Sequence, residues 1–352
     1  MLLPAERLRR QRAMLLRRSE KAEADASGSG HDRSRYDSGR RSSARGNSPL
    51  EAAFSITLVV LLAASWLLAG HLVTRVSPML VAAGRTGGSF VVLTLVALLY
   101  RRSRRDMRFA ASRVRSVVLL GFLGFFAYYA GTMIGTGFIG ASRVGLITSL
   151  LPSITFAIGV IAFGEPSTLS KIVGTLLAVS GAIGYVLAEG EVPSGGSSPG
   201  GATMLWGGML GFGGTFAYAL YGYIYQKRLS DLSSLGVLPA ITGVGTVMLM
   251  LAVILFVPLD GIAVMDLVGI AALGTVLTAP VFLLLHELIL RKGPLFTAAL
   301  SLAVPFSVRI GEWMLGWASA PNPLVLFLLL ICAIGVGLTI RGGQRVAERP
   351  SA

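Results

Sequence analysis

Residues 54–74 read FSITLVVLLAASWLLAGHLVT, a run in which His71 is the one titratable side chain. A helix needs about 20 predominantly apolar residues to cross the hydrocarbon of a bilayer. The run does not alternate apolar with polar positions as a barrel strand does, so it predicts a transmembrane helix. Nine further runs follow, at 79–100, 116–138, 145–163, 172–188, 204–225, 235–257, 267–290, 295–315 and 324–340. The expected fold class is an all-α polytopic membrane protein with ten transmembrane helices. Composition agrees: 53% of the 352 residues are hydrophobic and 14% charged, against roughly 25% charged in a soluble domain.

The charges that remain sum to +14, from 31 Lys+Arg and 17 Asp+Glu. In a soluble chain such an excess points to nucleic acid; here its placement reads as orientation. Cytoplasmic loops are rich in Lys and Arg. The even-numbered loops carry Arg101, Arg102, Arg104, Arg105, Arg108, Arg113 and Arg115, then Lys171, then Lys227 with Arg228, then Arg291 with Lys292. Arg341, Arg345 and Arg349 follow the last run. The opposite loops hold Arg75 and Arg143 beside Glu189, Glu191, Asp260 and Asp266. Ten spans with both termini cytoplasmic fit this asymmetry, and a cell-membrane, multi-pass location is expected. Residues 1–50, rich in Arg, Ser and Gly, cannot bury a core and read as a disordered cytoplasmic tail. Its first part, where Leu2, Leu8 and Leu15 stand among arginines, also fits a short basic helix on anionic lipid.

The Gly/Ser/Pro stretch 191–202 reads as a linker and divides the spans five and five. Five is odd, so the halves 51–190 and 203–341 are expected in opposite orientations, the inverted arrangement of many secondary transporters; residues 342–352 form a short cytoplasmic tail. Internal similarity supports a repeat. The fourth span carries GLITSLLP ending at Pro152, and the ninth carries AALSLAVP ending at Pro305. Each proline removes a backbone hydrogen bond and is expected to kink its helix.

Several stretches resemble the EamA-type transporters of the drug/metabolite transporter superfamily. They are Pro78 to Arg85, residues 140–152 leading to Glu165 and Gly174, and Gly274-Thr275 onward to Gly293 and Pro305. The resemblance covers roughly residues 54–341. It implies ten helices in two inverted five-helix repeats, cytoplasmic termini, and movement of small metabolites such as amino acids. Two positions depart from the family pattern. Ser65-Trp66 to Gly70 replaces a more polar stretch in the first helix, and Ala318 stands where a glutamate is expected.

Ionisable groups inside spans are costly and mark a pathway by default. Arg309 and Glu312 are the clearest pair, and with Ser301 and Pro305 they fall within a sector of about 80° on one helix. They are candidates for substrate contact or proton exchange. Thr275 and Thr278 share a face with Phe282 and His286 on the eighth span, where Pro280 can bend the helix; His286 is expected at the cytoplasmic interface. Tyr128, Thr132 and Gly135 align on the third span, and Tyr218, Tyr221 and Tyr225 on the sixth. These hydroxyl-bearing aromatics suit a cavity wall. Arg85 lies inside the second span. Glu165, with Pro152, Pro305 and Pro280, reads as structural or gating.

Other chemistry is sparse. Cys332 is the only cysteine and the three histidines lack ligand spacing, so no disulfide, metal or cofactor is expected. No P-loop pattern appears. The reading is a secondary transporter and not an enzyme, working by alternating access on a small-molecule substrate, with protons as the coupling ion and efflux the favoured direction. Lipophilic drug efflux and a non-transporting receptor or scaffold with a recruiting tail are the alternatives. The bilayer is the expected partner, nucleic acid is not, and a monomer or homodimer is expected.

Overall fold

A computed structural model describes residues 49–139, 141–189, 201–258, 261–316, 320 and 323–347. Residues 1–48 of the expected tail, 191–200 of the linker and 348–352 lie outside the described residues, while helix occupies 49–50 and continues through residue 347 of the expected C-terminal tail. Every regular element among the described residues is helical. In order these are α1 (Pro49–Val73), α2 (Pro78–Leu99), α3 (Arg101–Ser112), α4 (Val114–Gly121), α5 (Tyr128–Ile139), α6 (Ala141–Thr148), α7 (Leu151–Phe163) and α8 (Leu169–Glu189). They continue as α9 (Gly201–Leu229), α10 (Ser234–Phe256), α11 (Val264–Ala272), α12 (Ala279–Lys292), α13 (Pro294–Ser301), α14 (Val304–Met314) and α15 (Pro323–Ala347). By length and composition six helical segments can cross a membrane: Glu51–Val73, Pro78–Leu99, Val114–Thr136, Ser234–Phe256, Val264–Lys292 and Pro294–Met314. The apolar segments Leu151–Phe163, Leu169–Gly184 and Pro323–Thr339 are shorter. Large apolar side chains such as Ile161, Leu251, Phe256 and Val276 are exposed, as lipid contact requires. The chain is a multi-pass membrane protein.

Two long helices are continuous but locally widened. A π-helical stretch, Phe122–Ala127, joins α4 to α5, and another, Leu273–Thr278, joins α11 to α12. Two others are interrupted by one tightened turn. Between α6 and α7 Leu150 N–H donates to Ile147 O at 3.1 Å, and between α13 and α14 Ala303 N–H donates to Leu300 O at 3.1 Å. The irregularities expected at Pro152 and Pro305 thus take the form of a tightened turn whose residues Leu150, Leu302 and Ala303 keep right-handed helical angles. Each proline enters the first turn of the new helix, where its missing N–H would have no intrahelical partner anyway. The two interruptions match in register: α14 begins 153 residues after α7 (Leu151, Val304), and Pro305 follows Pro152 by the same interval.

Inside a bilayer helices gain little from burying apolar surface against one another, so close packing holds them. Glycines supply it here. A Cβ on Gly131 of α5 would lie 2.6 Å from the Leu210 carbonyl and 3.1 Å from Gly214 Cα of α9, and one on Gly135 would lie 3.0 Å from Gly207 O. Gly88 of α2 meets Gly274 Cα at 3.0 Å in the same sense, and Gly174 of α8 packs on Thr339 of α15. Gly208 and Gly213 have open space around them and serve no crossing. At the chain's connections, Gly293 (φ 91°) takes the left-handed backbone that lets α12 turn directly into α13.

The end of the bundle that bears α3 is stitched by polar contacts. α3 buries Ser103, Asp106 and Ala110 on one stripe and exposes its arginines. Asp106 Oδ2 accepts from Ser233 Oγ (2.6 Å) and Ser233 N (3.1 Å), placing a carboxylate at the N-terminus of α10, where the helix dipole favours it. Arg113 makes a two-pronged pair with Asp231 (2.6 and 2.7 Å) and donates to Arg228 O. That contact holds the Asp231 carboxyl below its usual range. Lys292 Nζ pairs with Glu51 at 2.7 Å, tying α12 to the start of α1.

The crossings yield a direct test. Gly131→Ala is expected to cost about 1–3 kcal/mol through forced separation of two backbones, whereas Gly208→Ala stays within about 0.5 kcal/mol. Thermal unfolding of both variants in one detergent measures the difference. Equal melting temperatures would show that α5 and α9 do not meet through these glycines.

Candidate functional site

A cavity of about 330 Å³ lies between α1, α2, α5 and α6. Its lining comes from the last turns of α1 (Trp66, Gly70, Val73), the first turns of α2 (Pro78, Val81, Arg85), α5 (Tyr128 to Thr136) and α6 (Val144, Gly145, Thr148). All four contributions lie toward the bundle end opposite α3. Arg85 is 5% exposed. Its Nη2 donates to Ser65 Oγ at 3.0 Å, and its guanidinium lies 5.8 Å from the Trp66 ring centroid and 5.6 Å from that of Tyr129. Aromatic faces carry negative charge density and attract a desolvated cation. Nε has no hydrogen-bond partner among the described residues. Thr132 uses its hydroxyl locally, donating to Tyr128 O at 2.7 Å.

A second, much smaller cavity of about 20 Å³ lies toward the other end, between α7, α9, α12 and α13. Tyr218, Tyr221, Leu285, Thr297, Ala298 and Ser301 are among its lining residues. Tyr128 faces the larger space and Tyr218 the smaller, and their ring centroids are 4.6 Å apart. This pair is the partition between the two. From Tyr218 the stack continues to Tyr221 (5.8 Å) and Tyr225 (6.0 Å), so the sixth-span tyrosines do share one face.

His286 stands against this stack. It is 1% exposed, buried in the core and not at an interface as the sequence had implied. Its Nδ1 lies 2.5 Å from Phe282 O. A carbonyl only accepts, so Nδ1 carries the proton; Nε2 of the neutral ring then accepts from the Tyr221 hydroxyl. Both ring nitrogens are used, which suits a fixed structural histidine.

The expected site residues therefore divide. Arg85, Tyr128 and Thr132 meet at the larger cavity, and Tyr218 and Ser301 line the smaller. Arg309 (8% exposed) and the half-buried Glu312 line neither of these two cavities. Thr275 donates to Ala271 O, and buried Thr278 to Leu273 O across the π-helical turn. Pro152 is buried at the start of α7 and Pro280 is half-buried in the first turn of α12. Glu165 follows α7, its N–H donating to Gly159 O at 2.9 Å. Gly135 packs on α9, the helix that Tyr128 also meets through Tyr218. The residues that sequence reasoning missed are Ser65, Trp66, Tyr129, Thr136 and Thr148. Ser65 and Trp66 had stood out only as a departure from a family pattern.

Fold and cavity together define the class: a polytopic helical membrane protein with a buried, cation-bearing cavity among its first helices. Residues 50–187 match the model of the EamA-like transporter family. A WAT1-related protein of Arabidopsis thaliana is 32% identical over 112 residues, a match that spans 29% of this chain and 30% of that relative. A solved crystal structure of another protein aligns with a TM-score of 0.70 at 18% identity, covering 84% of this chain and 98% of the other. That likeness is one of fold.

Removing the hydroxyl in Tyr221→Phe leaves the buried Nε2 of His286 without a donor. A loss of about 1–3 kcal/mol is expected, read as a lower melting temperature of the purified protein. An unchanged melting temperature would mean that this contact does not hold α9 to α12.

Proposed function

We propose that the chain is a secondary active transporter that moves small metabolites, amino acids and related compounds among them, across the cytoplasmic membrane by alternating access. The observation that carries this is the matched pair of cavities. Val144, Gly145 and Thr148 line the larger, and Thr297, Ala298 and Ser301, each 153 residues further on, line the smaller. Equivalent positions thus face two spaces at opposite ends, one open and one nearly closed. That is the arrangement expected when two repeats of opposite orientation exchange roles across a membrane.

On this reading each interrupted pair, α6 with α7 and α13 with α14, counts as one span, giving ten spans in two inverted five-helix repeats. Packing follows the same scheme. α2 packs on α10 and α8 on α15, while the α5–α9 crossing is mirrored by that of α12 with α1. The Arg-rich α3 end is cytoplasmic by the positive-inside rule, so the larger cavity opens outward. The latches Glu51–Lys292 and Arg113–Asp231 close the cytoplasmic side. Efflux and proton coupling are taken from the family resemblance. The partition formed by Tyr128 and Tyr218 must part for a solute to pass.

Cysteine accessibility tests the scheme in a Cys332→Ala background. Thr136→Cys is expected to react with a membrane-impermeant maleimide added outside intact cells. Ser301→Cys is expected to react only with reagent supplied from the cytoplasmic face of inverted vesicles. Labelling of both positions from one side would sink the two-cavity model. Uptake of a labelled panel of small metabolites, amino acids and organic monoanions among them, into energised inverted vesicles then reads transport itself, and no flux of any panel member would count against a transporter.

A further inference from the structure

The larger cavity holds a buried cation with no counter-ion. Among the described residues no carboxylate lies within ion-pair distance of Arg85, and its one side-chain hydrogen bond goes to the neutral hydroxyl of Ser65. The two aromatic faces beside it offset part of the cost of desolvation, but a charge in a low-dielectric setting is ordinarily paired. The rest of the lining has an equally definite character. Its polar groups include the hydroxyls of threonine and tyrosine, its walls are Trp66, Val73, Val81 and Met133, and no acidic residue is among the described residues that line it. A guest carrying an ammonium would bury a second positive charge near Arg85 with no carboxylate among the described lining residues to offset it. A guest carrying a carboxylate would neutralise Arg85.

We infer that this cavity binds an organic monoanion, with a carboxylate set against Arg85 and an apolar or aromatic body against Trp66, Val81 and Met133, and that it discriminates against zwitterionic amino acids. A guanidinium is the side chain best suited to a planar carboxylate, because its fork of N–H donors matches the two oxygens. The proposed transporter reading is deepened here by a substrate class, and rests on that reading for movement but not for binding.

The test uses the full chain purified into phosphatidylcholine nanodiscs and three probes with one carbon skeleton: hydrocinnamate, phenylalanine and phenethylamine. Isothermal titration is expected to find hydrocinnamate bound about tenfold or more tightly than phenylalanine, with phenethylamine weakest. This comparison is made on the unaltered protein. Arg85→Gln is expected to erase the preference, and Arg85→Lys to keep it in weaker form. Equal or tighter binding of phenylalanine or phenethylamine overturns the inference, as does no binding of any probe or a carboxylate preference that survives Arg85→Gln. Carboxylate-selective binding without flux in energised proteoliposomes would instead overturn the transporter reading and leave the site standing. Flux of amino acids by a protein that shows no carboxylate preference would do the reverse.

Discussion

Backbone contact between α5 and α9 at Gly131 and Gly214 fixes more of this molecule than any other interaction. Without side chains at those positions the two helices approach until main-chain atoms touch, which lipid alone gives them no reason to do. One turn from Gly131 stands Tyr128, and one turn beyond Gly214 stands Tyr218; because the helices run antiparallel, the two rings meet at 4.6 Å. Any wider crossing would leave a gap there, and the cavities on either side would join. The same crossing carries Tyr221 toward α12, where it donates to His286. A packing device built from missing side chains thus sets the barrier between the two polar spaces.

Much of the fold was legible because apolar runs of about 20 residues have few other readings. All ten runs coincide with helices or interrupted helices, and the glycine-rich faces at Gly131 and Gly135 do form the crossing. What the runs did not disclose follows from local backbone physics. Proline was read as a kink, and Pro152 and Pro305 sit in the first turn after a single tightened turn, where the shorter-range bonds of Leu150 and Ala303 satisfy the chain. Of the candidate site, Arg85, Tyr128 and Thr132 were found and Trp66 and Tyr129 were not. A sequence gives the axial position of a residue far better than it gives which neighbour is opposite.

The two arginines buried in spans make opposite lessons. Arg309 attracted attention because Glu312 lies one turn away, yet neither faces the larger cavity. Arg85 had no acidic neighbour in sequence to flag it. That lack is its most informative property. In a medium of low dielectric a cation held only by a serine hydroxyl and two aromatic rings is stable enough to exist and still has unmet demand for negative charge. A salt bridge within the chain would have satisfied that demand permanently and left the cavity electrically neutral.

The difference in size between the two cavities follows from what closes each end. Toward α3 the helix termini are joined by Glu51–Lys292, Arg113–Asp231 and the Asp106 cap on α10. Toward the other end the ion pair found among the described residues is Arg75–Asp266, at 3.7 Å and with the arginine half exposed; exposed pairs of that kind contribute little. Three short polar contacts against one long one bias the bundle toward being shut at the α3 end. Hydrophobic closure would be harder to reverse, because it has no discrete bonds to break in turn. Discrete polar contacts, whose groups water solvates and screens once they part, are of a kind that can be broken one at a time. The tyrosine pair, by contrast, is an aromatic contact between the two cavities, with ring centroids 4.6 Å apart, while the polar contacts join the helix termini at the α3 end.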